Sequence, residues 1–299
     1  MRCAWDGKRC GYRLPKPRGN WDGEQFLWTK RCAEPCSGFG KMVTHDNCES
    51  SLVDVVANKS KIAIVAALER EVHPIIQDWH TSERRHEGRD YKFYESGNTV
   101  LVCGGIGVEC ARRATEAVIA CYGPEMVLSA GFAGALDDRL GVADIIRPSR
   151  IVDAGDGSVT ELAGEGTLVT VLLIAGPSQK SKLARAYNAQ AVDMEAAAVA
   201  RGADARGVRF AALKVISDAN HFPMPPMERF VTHDGQFRST KFLIFVALRP
   251  WLWANVIRLA QNSSRAAKAL GRALEAWLRH PESLDDSAAE WHPMKRAKV

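Results

Sequence analysis

The sequence predicts an α/β fold, with a mostly parallel or mixed central sheet flanked by helices. Three observations predict it. Short, nearly continuous apolar runs stand at 61–67 (KIAIVAA), 99–103 (TVLVC), 126–130 (MVLSA) and 209–218 (RFAALKVISD). Runs of this kind suit strands buried on both faces. Between them lie stretches of helical period, VECARRATEAVIACYG at 108–123 and MEAAAVARGADARG at 194–207. Glycine-rich segments, GGIG at 104–107 and GFAG at 131–134, follow two of the strands. Strands alternating with helices imply βαβ units. In such sheets ligands bind beyond the carboxyl ends of the strands, so the residues just after the strands are the ones to examine.

In chain order, the first strand runs into the acidic turn LEREV, which carries Glu71. The second gives way to GGIG and then to the 108–123 helix, which should stop at Gly123. The third passes into GFAG, and ADIIRP at 143–148 and TLVTVLLIA at 167–175 read as further strands. A helix opens near Ser178. VDMEAAAVA at 192–200 sets Met194 and Glu195 where a short strand becomes a helix, and ISDAN ends the last strand with Ser217 and Asp218. Residues 221–240 read as an inserted loop, able to act as a lid beside Asp218. Residues 242–260 are apolar but interrupted by Arg249 and Pro250, and a helical period resumes from Trp253 to Leu278.

The remainder is organised differently. Residues 1–57, rich in Trp, Cys, Gly, Pro and charge, have no sustained period and read as a loosely ordered extension. A zinc module on Cys3, Cys10, Cys32 and Cys36 is the alternative, but only Cys32 and Cys36 have ligand-like spacing. The catalytic region is placed at 58–280, with a polar tail at 281–299.

Composition removes several classes. The chain has 299 residues, 46% of them hydrophobic, long enough for a sizeable core without disulfides. A net charge of +5, with the charges interspersed, offers no concentrated basic face for nucleic acid. The N-terminus lacks the apolar stretch of a secretory signal, and no apolar run reaches a membrane-spanning length of about 18 residues. A reducing, cytoplasmic setting follows, with Cys103, Cys110 and Cys121 as buried free thiols. Gly105-x-Gly107 is followed by Cys110 rather than glycine, so the dinucleotide fingerprint is incomplete. P-loop, HExxH and GxSxG motifs do not occur.

KIAIVAALEREV, GGIG, SAGFAGALDDRLGVADII, AVDMEAAAVA and RFAALKVISD occur in an order and spacing that resemble the purine nucleoside phosphorylase and methylthioadenosine–adenosylhomocysteine nucleosidase superfamily. GFAG with VDME also resembles its hopanoid-associated branch. The resemblance implies a nucleoside phosphorylase-like fold and cleavage of a purine nucleoside's N-glycosidic bond. It implies that Glu195 bonds the ribose hydroxyls, Met194 packs on the sugar, Asp218 protonates or shares a proton with purine N7, Glu71 activates water, and Ser217 supports Asp218. Gly107, Gly131, Phe132 and Ala133 join the substrate-binding set, the glycines of 131–134 by letting backbone approach the nucleoside. No metal or organic cofactor is implied; phosphate would be co-substrate in a phosphorylase.

The residue types fit the chemistry: breaking this bond builds an oxocarbenium-like sugar and an anionic base. One carboxylate can stabilise the first while a protonated carboxyl neutralises the second. Phe132 replaces the family's serine, which weighs against a phosphate site, and VLLIAGPSQKSK at 171–182 carries no aromatic of the kind that stacks on the base in the family. Hydrolysis is favoured because Glu71 matches the nucleosidase turn and the phosphate serine is missing; a lipid-linked nucleoside phosphorylase or a catalytically silent nucleoside binder is the alternative. A homo-oligomer is expected. A peripheral membrane contact through 242–260 is weighed against packing of that stretch on the sheet.

Overall fold

The computed structural model describes residues 62–232 and 234–279. Expectations for residues 1–57 and 281–299, including the zinc module, lie outside them. The first strand, β1 (Ile62–Ala66), is buried at every position. It runs parallel to β4 (Thr99–Cys103) on one side and β5 (Met126–Ala135) on the other. On its far side β5 pairs in parallel with β11 (Arg209–Asp218).

Helices cover both faces, which is why these strands are apolar at successive positions. On one face α1 (Glu69–Ile76) and the second half of α6 (Pro250–Arg279) bring Val72, Leu270 and Leu274 onto Ile64, Leu101 and Leu128. On the other, α2 (Val108–Tyr122) and α4 (Ala196–Asp204) press Val118 and Val199 onto Val65, Val102 and Val127. α2 ends at Gly123 as predicted: the glycine is left-handed, φ 54°, and its amide donates to the Ile119 carbonyl at 2.9 Å. Such a left-handed cap favours glycine, which has no Cβ to strain.

The sheet is mixed, its order being β2-β3-β4-β1-β5-β10-β9-β7-β8 with β11 and β6 branching from β5. Two peripheral hairpins depart from the sequence reading. β2 (His80–His86) and β3 (Arg89–Ser96) pair antiparallel. β2 is HTSERRH, so no apolar alternation announces it; charge on an edge strand blocks further pairing. β6 (Ile145–Ile146) is only two residues long, and β7 (Arg150–Asp153) folds back on β8 (Val159–Glu161). The 167–175 run yields a shorter strand than expected, β9 (Thr167–Thr170). Its neighbours β7 and β10 (Ala191–Asp193) both end opposite Thr170, so no ladder partner remains, and Leu172 and Leu173 emerge exposed. GFAG does not follow the third strand but belongs to it, because β11 pairs alongside it as far as Gly134.

α3 (Pro177–Tyr187) opens one residue before Ser178. Residues 221–232 and 234–238 are irregular, apart from a 3₁₀ turn at Glu228–Phe230 and a bridge between Val231 and Phe237. α5 (Ser239–Ala247) and α6 divide the 242–260 stretch at Pro250, which is well placed in a helix's first turn. Phe242 and Val246 pack with Phe230, whereas Leu243, Ile244, Leu248, Trp251, Trp253 and Ile257 are exposed. The stretch therefore does not pack on the sheet as one core helix. No described helix is long and apolar enough to cross a membrane. Cys103, Cys110 and Cys121 are free, but only Cys110 is fully buried.

Candidate active site

A cavity of about 370 Å³ opens at the ends of β1, β5, β10 and β11, with Glu71, Glu195 and Asp218 in its lining. Each carboxylate arrives by a different route. Glu71 stands in the first turn of α1, directly after β1. Glu195 is the N-cap of α4, just after β10. Asp218 is the last residue of β11, where the register against β5 slips between Ile216 and Asp218 and sets Asp218 opposite Gly134. Irregularities of this kind re-aim a side chain at the end of a ladder.

Glu71 is buried, and its Oε2 has no hydrogen-bond partner among the described residues. Burial and then the charge of Glu195 push its carboxyl up to about 8, against the opposing pull of Lys214. Gly131 makes room for it: a Cβ there would stand 2.9 Å from Glu71 Oε2, and φ is +154°. Glu195 accepts the Gly107 amide at Oε1 (2.9 Å) and the Met194 amide at Oε2 (3.3 Å). Burial raises the Glu195 carboxyl, Lys214 opposes the rise, and Asp193 reinforces it. Asp218 accepts Ser217 Oγ at Oδ1 (2.6 Å) and Lys180 Nζ at Oδ2 (2.5 Å).

The nine expected residues are therefore placed unevenly. Glu71, Phe132, Ala133, Met194, Glu195, Ser217 and Asp218 line the cavity. Gly107 and Gly131 do not; one fixes Glu195 and the other leaves space for Glu71. Ile106 lines the wall beside Gly107. Three charged residues went unnoticed in the sequence. Lys214 Nζ lies 2.9 Å from Asp193 Oδ2; burial depresses its pKa, but Asp193 and Glu195 outweigh that and raise it. Asp193 also accepts Thr170 Oγ1 (2.6 Å) and the Ala196 amide (2.8 Å), tying the start of α4 to the sheet. Lysine inside RFAALKVISD was a readable signal, because a cation in a strand buried on both faces needs a partner. Lys180 gave no signal, standing in the polar stretch PSQKSKLARAY.

The opposite wall is apolar. Met224, Met227 and Phe237 come from the 221–238 segment, Phe242 and Leu243 from α5, and Val256 and Leu259 from α6. Phe132, Phe237 and Phe242 are the rings that border the cavity. Cys103, beside Glu71, has its thiol raised by burial and then by that carboxylate, which makes it a poor nucleophile.

Known proteins resemble this arrangement. 5′-Methylthioadenosine/S-adenosylhomocysteine nucleosidase of Staphylococcus aureus is 27% identical over 197 residues, 52% of this chain and 86% of the relative. The Staphylococcus haemolyticus nucleosidase of the same name is 34% identical over 95 residues, 30% of this chain and 41% of its own length. Among solved structures, the Helicobacter pylori nucleosidase bound to a pyrrolidine inhibitor superposes with a TM-score of 0.56 at 19% identity, covering 74% of this chain and 99% of that one. The futalosine hydrolase of Helicobacter pylori gives 0.53 at 20%, covering 73% and 98%. These likenesses show a shared fold. The model of the phosphorylase superfamily matches residues 61–170 and 165–234, a span that holds all three carboxylates and the strands presenting them, and the chain belongs to that superfamily.

Proposed function

We propose that this protein is a nucleosidase, hydrolysing the N-glycosidic bond of a purine nucleoside and releasing the free base. The observation that carries this reading is the convergence of Glu71, Glu195 and Asp218 on one cavity at the strand ends. In this reading Glu195, fixed by the Gly107 amide, bonds the ribose hydroxyls and stabilises the positive charge growing on the sugar. Met194 packs on the sugar. Asp218, held by Ser217, faces N7 of the departing purine. Glu71 Oε2 has free acceptor capacity and takes a proton from the attacking water. The sugar's 5′ substituent then meets the apolar wall. General acid–base assistance of this kind is worth roughly 10²–10⁴-fold in rate.

Water is favoured over phosphate as nucleophile on three counts. Phe132 stands where the superfamily pattern has a serine, so that hydroxyl is missing. The two buried lysines are already committed to Asp218 and Asp193. A phosphate dianion beside Glu71 and Glu195 would meet like charge in a desolvated site. The relatives named above are nucleosidases and a hydrolase, which supports hydrolysis over a lipid-linked nucleoside phosphorylase or a silent binder. The test is purine release from a nucleoside panel with and without phosphate. Release independent of phosphate is expected. A strict phosphate requirement would assign phosphorolysis instead, and tight binding without base release would make the protein a binder.

The exposed face of α5 and early α6 supports a peripheral contact with an anionic lipid surface. Leu243, Ile244, Leu248, Trp251 and Trp253 stand there beside Lys241, Arg249 and Arg258, a mixture suited to the head-group boundary.

A further inference from the structure

Lys180 is a buried cation, its residue 1% exposed, at the polar end of the cavity. All three of its N–H groups are spent on one short segment. Nζ donates to Asp218 Oδ2 at 2.5 Å, to the Ala219 carbonyl at 2.9 Å and to the Asp218 carbonyl at 3.4 Å. The fold keeps space for this contact at Gly134, where a Cβ would lie 3.0 Å from Asp218 Oδ2 and 3.1 Å from Lys180 Nζ. Ser217 occupies the other carboxylate oxygen. Asp218 is thus held with both oxygens accepting, the arrangement of a carboxylate rather than a carboxylic acid. Yet the leaving purine needs a proton, and an ionised Asp218 has none of its own to give.

We propose that Lys180 Nζ supplies the proton that Asp218 delivers to the departing base, which makes Lys180 a positioning residue acting through Asp218. The inference rests on the nucleosidase reading. As the C1′–N9 bond breaks, its electron pair goes to the purine. A proton passes from Nζ to Asp218 Oδ2 and from Asp218 to N7, leaving Lys180 as a neutral amine. Water adds its oxygen to C1′ and loses a proton to Glu71. Glu71 then releases that proton to solvent, Lys180 regains one, and the reaction is balanced.

Arginine separates proton supply from charge. Lys180→Arg keeps a cation and its donors, but a guanidinium does not release a proton in a protein. The enzyme is assayed on an adenine nucleoside and on a riboside with an activated leaving group that departs without protonation. Lys180→Arg is expected to lower kcat about 10²-fold or more on the adenine nucleoside, at unchanged KM, and to leave the activated substrate nearly untouched. Wild-type activity in Lys180→Arg, or an equal loss on both substrates, overturns the proposal and leaves Lys180 a structural clamp. If arginine prevents folding, the smaller Lys180→Met is compared on the same two substrates and judged by the same ratio. Wild-type enzyme that releases no purine overturns the nucleosidase reading and this inference with it; normal wild-type release with an equal loss in the variant overturns this inference alone.

Discussion

The two ends of the cavity are built on opposite principles. The polar end is made of strand ends, and apart from Glu71 its charged groups are fixed by named partners: Glu195 by the Gly107 amide, Asp218 by Ser217 and Lys180, Lys214 by Asp193. The apolar end is made of the 221–238 segment, α5 and early α6, whose Met, Phe, Val and Leu side chains fill space without directional bonds. Buried charges tolerate little displacement, because a lost partner leaves an uncompensated charge costing about 3–5 kcal/mol. Volume-conserving apolar exchanges usually cost less than about 1.5 kcal/mol. Chemistry should therefore be fixed at one end and substrate preference adjustable at the other.

The largest expected effect tests the polar end. Glu195→Gln should lower kcat by about 10²–10³-fold, the scale of a lost electrostatic partner to the transition state, with the melting temperature retained. Near-normal turnover would place the chemistry elsewhere. At the apolar end, Leu259→Ala should raise KM about tenfold for nucleosides with an apolar 5′ group and spare kcat, since it removes uniform binding. A kcat loss matching that of Glu195→Gln would erase the distinction between the two ends.

Acidity sharpens the comparison. As the proposed base Glu71 must be ionised to accept a proton, and burial holds its carboxyl up to about 8. The kcat/KM profile should therefore climb with pH through that region; a profile already flat from pH 5 would remove Glu71 as the base. The same shift costs stability. A carboxyl whose folded pKa is raised favours the fold while protonated, so its contribution is complete below the ordinary value of 4.5, declines as pH rises and is lost above about 8. Glu71→Gln should consequently melt higher than the wild type at pH 9 and almost equally at pH 4.5. The smallest effect concerns the outer surface near the apolar end. Trp251 is 72% exposed, and replacing Trp251 and Trp253 with Ser should reduce co-sedimentation with anionic vesicles while leaving hydrolysis of soluble nucleosides unchanged. Vesicle binding should also weaken as salt rises. If the wild type ignores vesicles at low salt and instead self-associates through this face, the surface is a contact between copies.

The sequence by itself determined the central strands and the positions of the three carboxylates. Strands buried on both faces must be apolar at consecutive residues, and groups that follow such strands in an α/β sheet must gather at one edge, so β1, β5 and β11 announced both themselves and Glu71 and Asp218. VDME located Glu195 in the same way. Only the tertiary structure decided what surrounds them. β2 carries charge on an exposed edge and has no period to read. β9 stops where its neighbours stop, although the apolar run continues to Ala175. GFAG, which reads as the segment following a strand, is itself strand because β11 supplies a partner. Lys180 and Lys214 are both lysines in the sequence, and what differs is the context each offers. Lys214 interrupts a buried strand and so implies an acid, whereas Lys180 sits among polar helix residues and meets Asp218 only after 38 residues of chain have folded back. Local pattern reports which face of an element is buried; it carries no information about which distant charge a flexible side chain will find, because that pairing is set by the packing of separate elements and by the cost of leaving either charge alone.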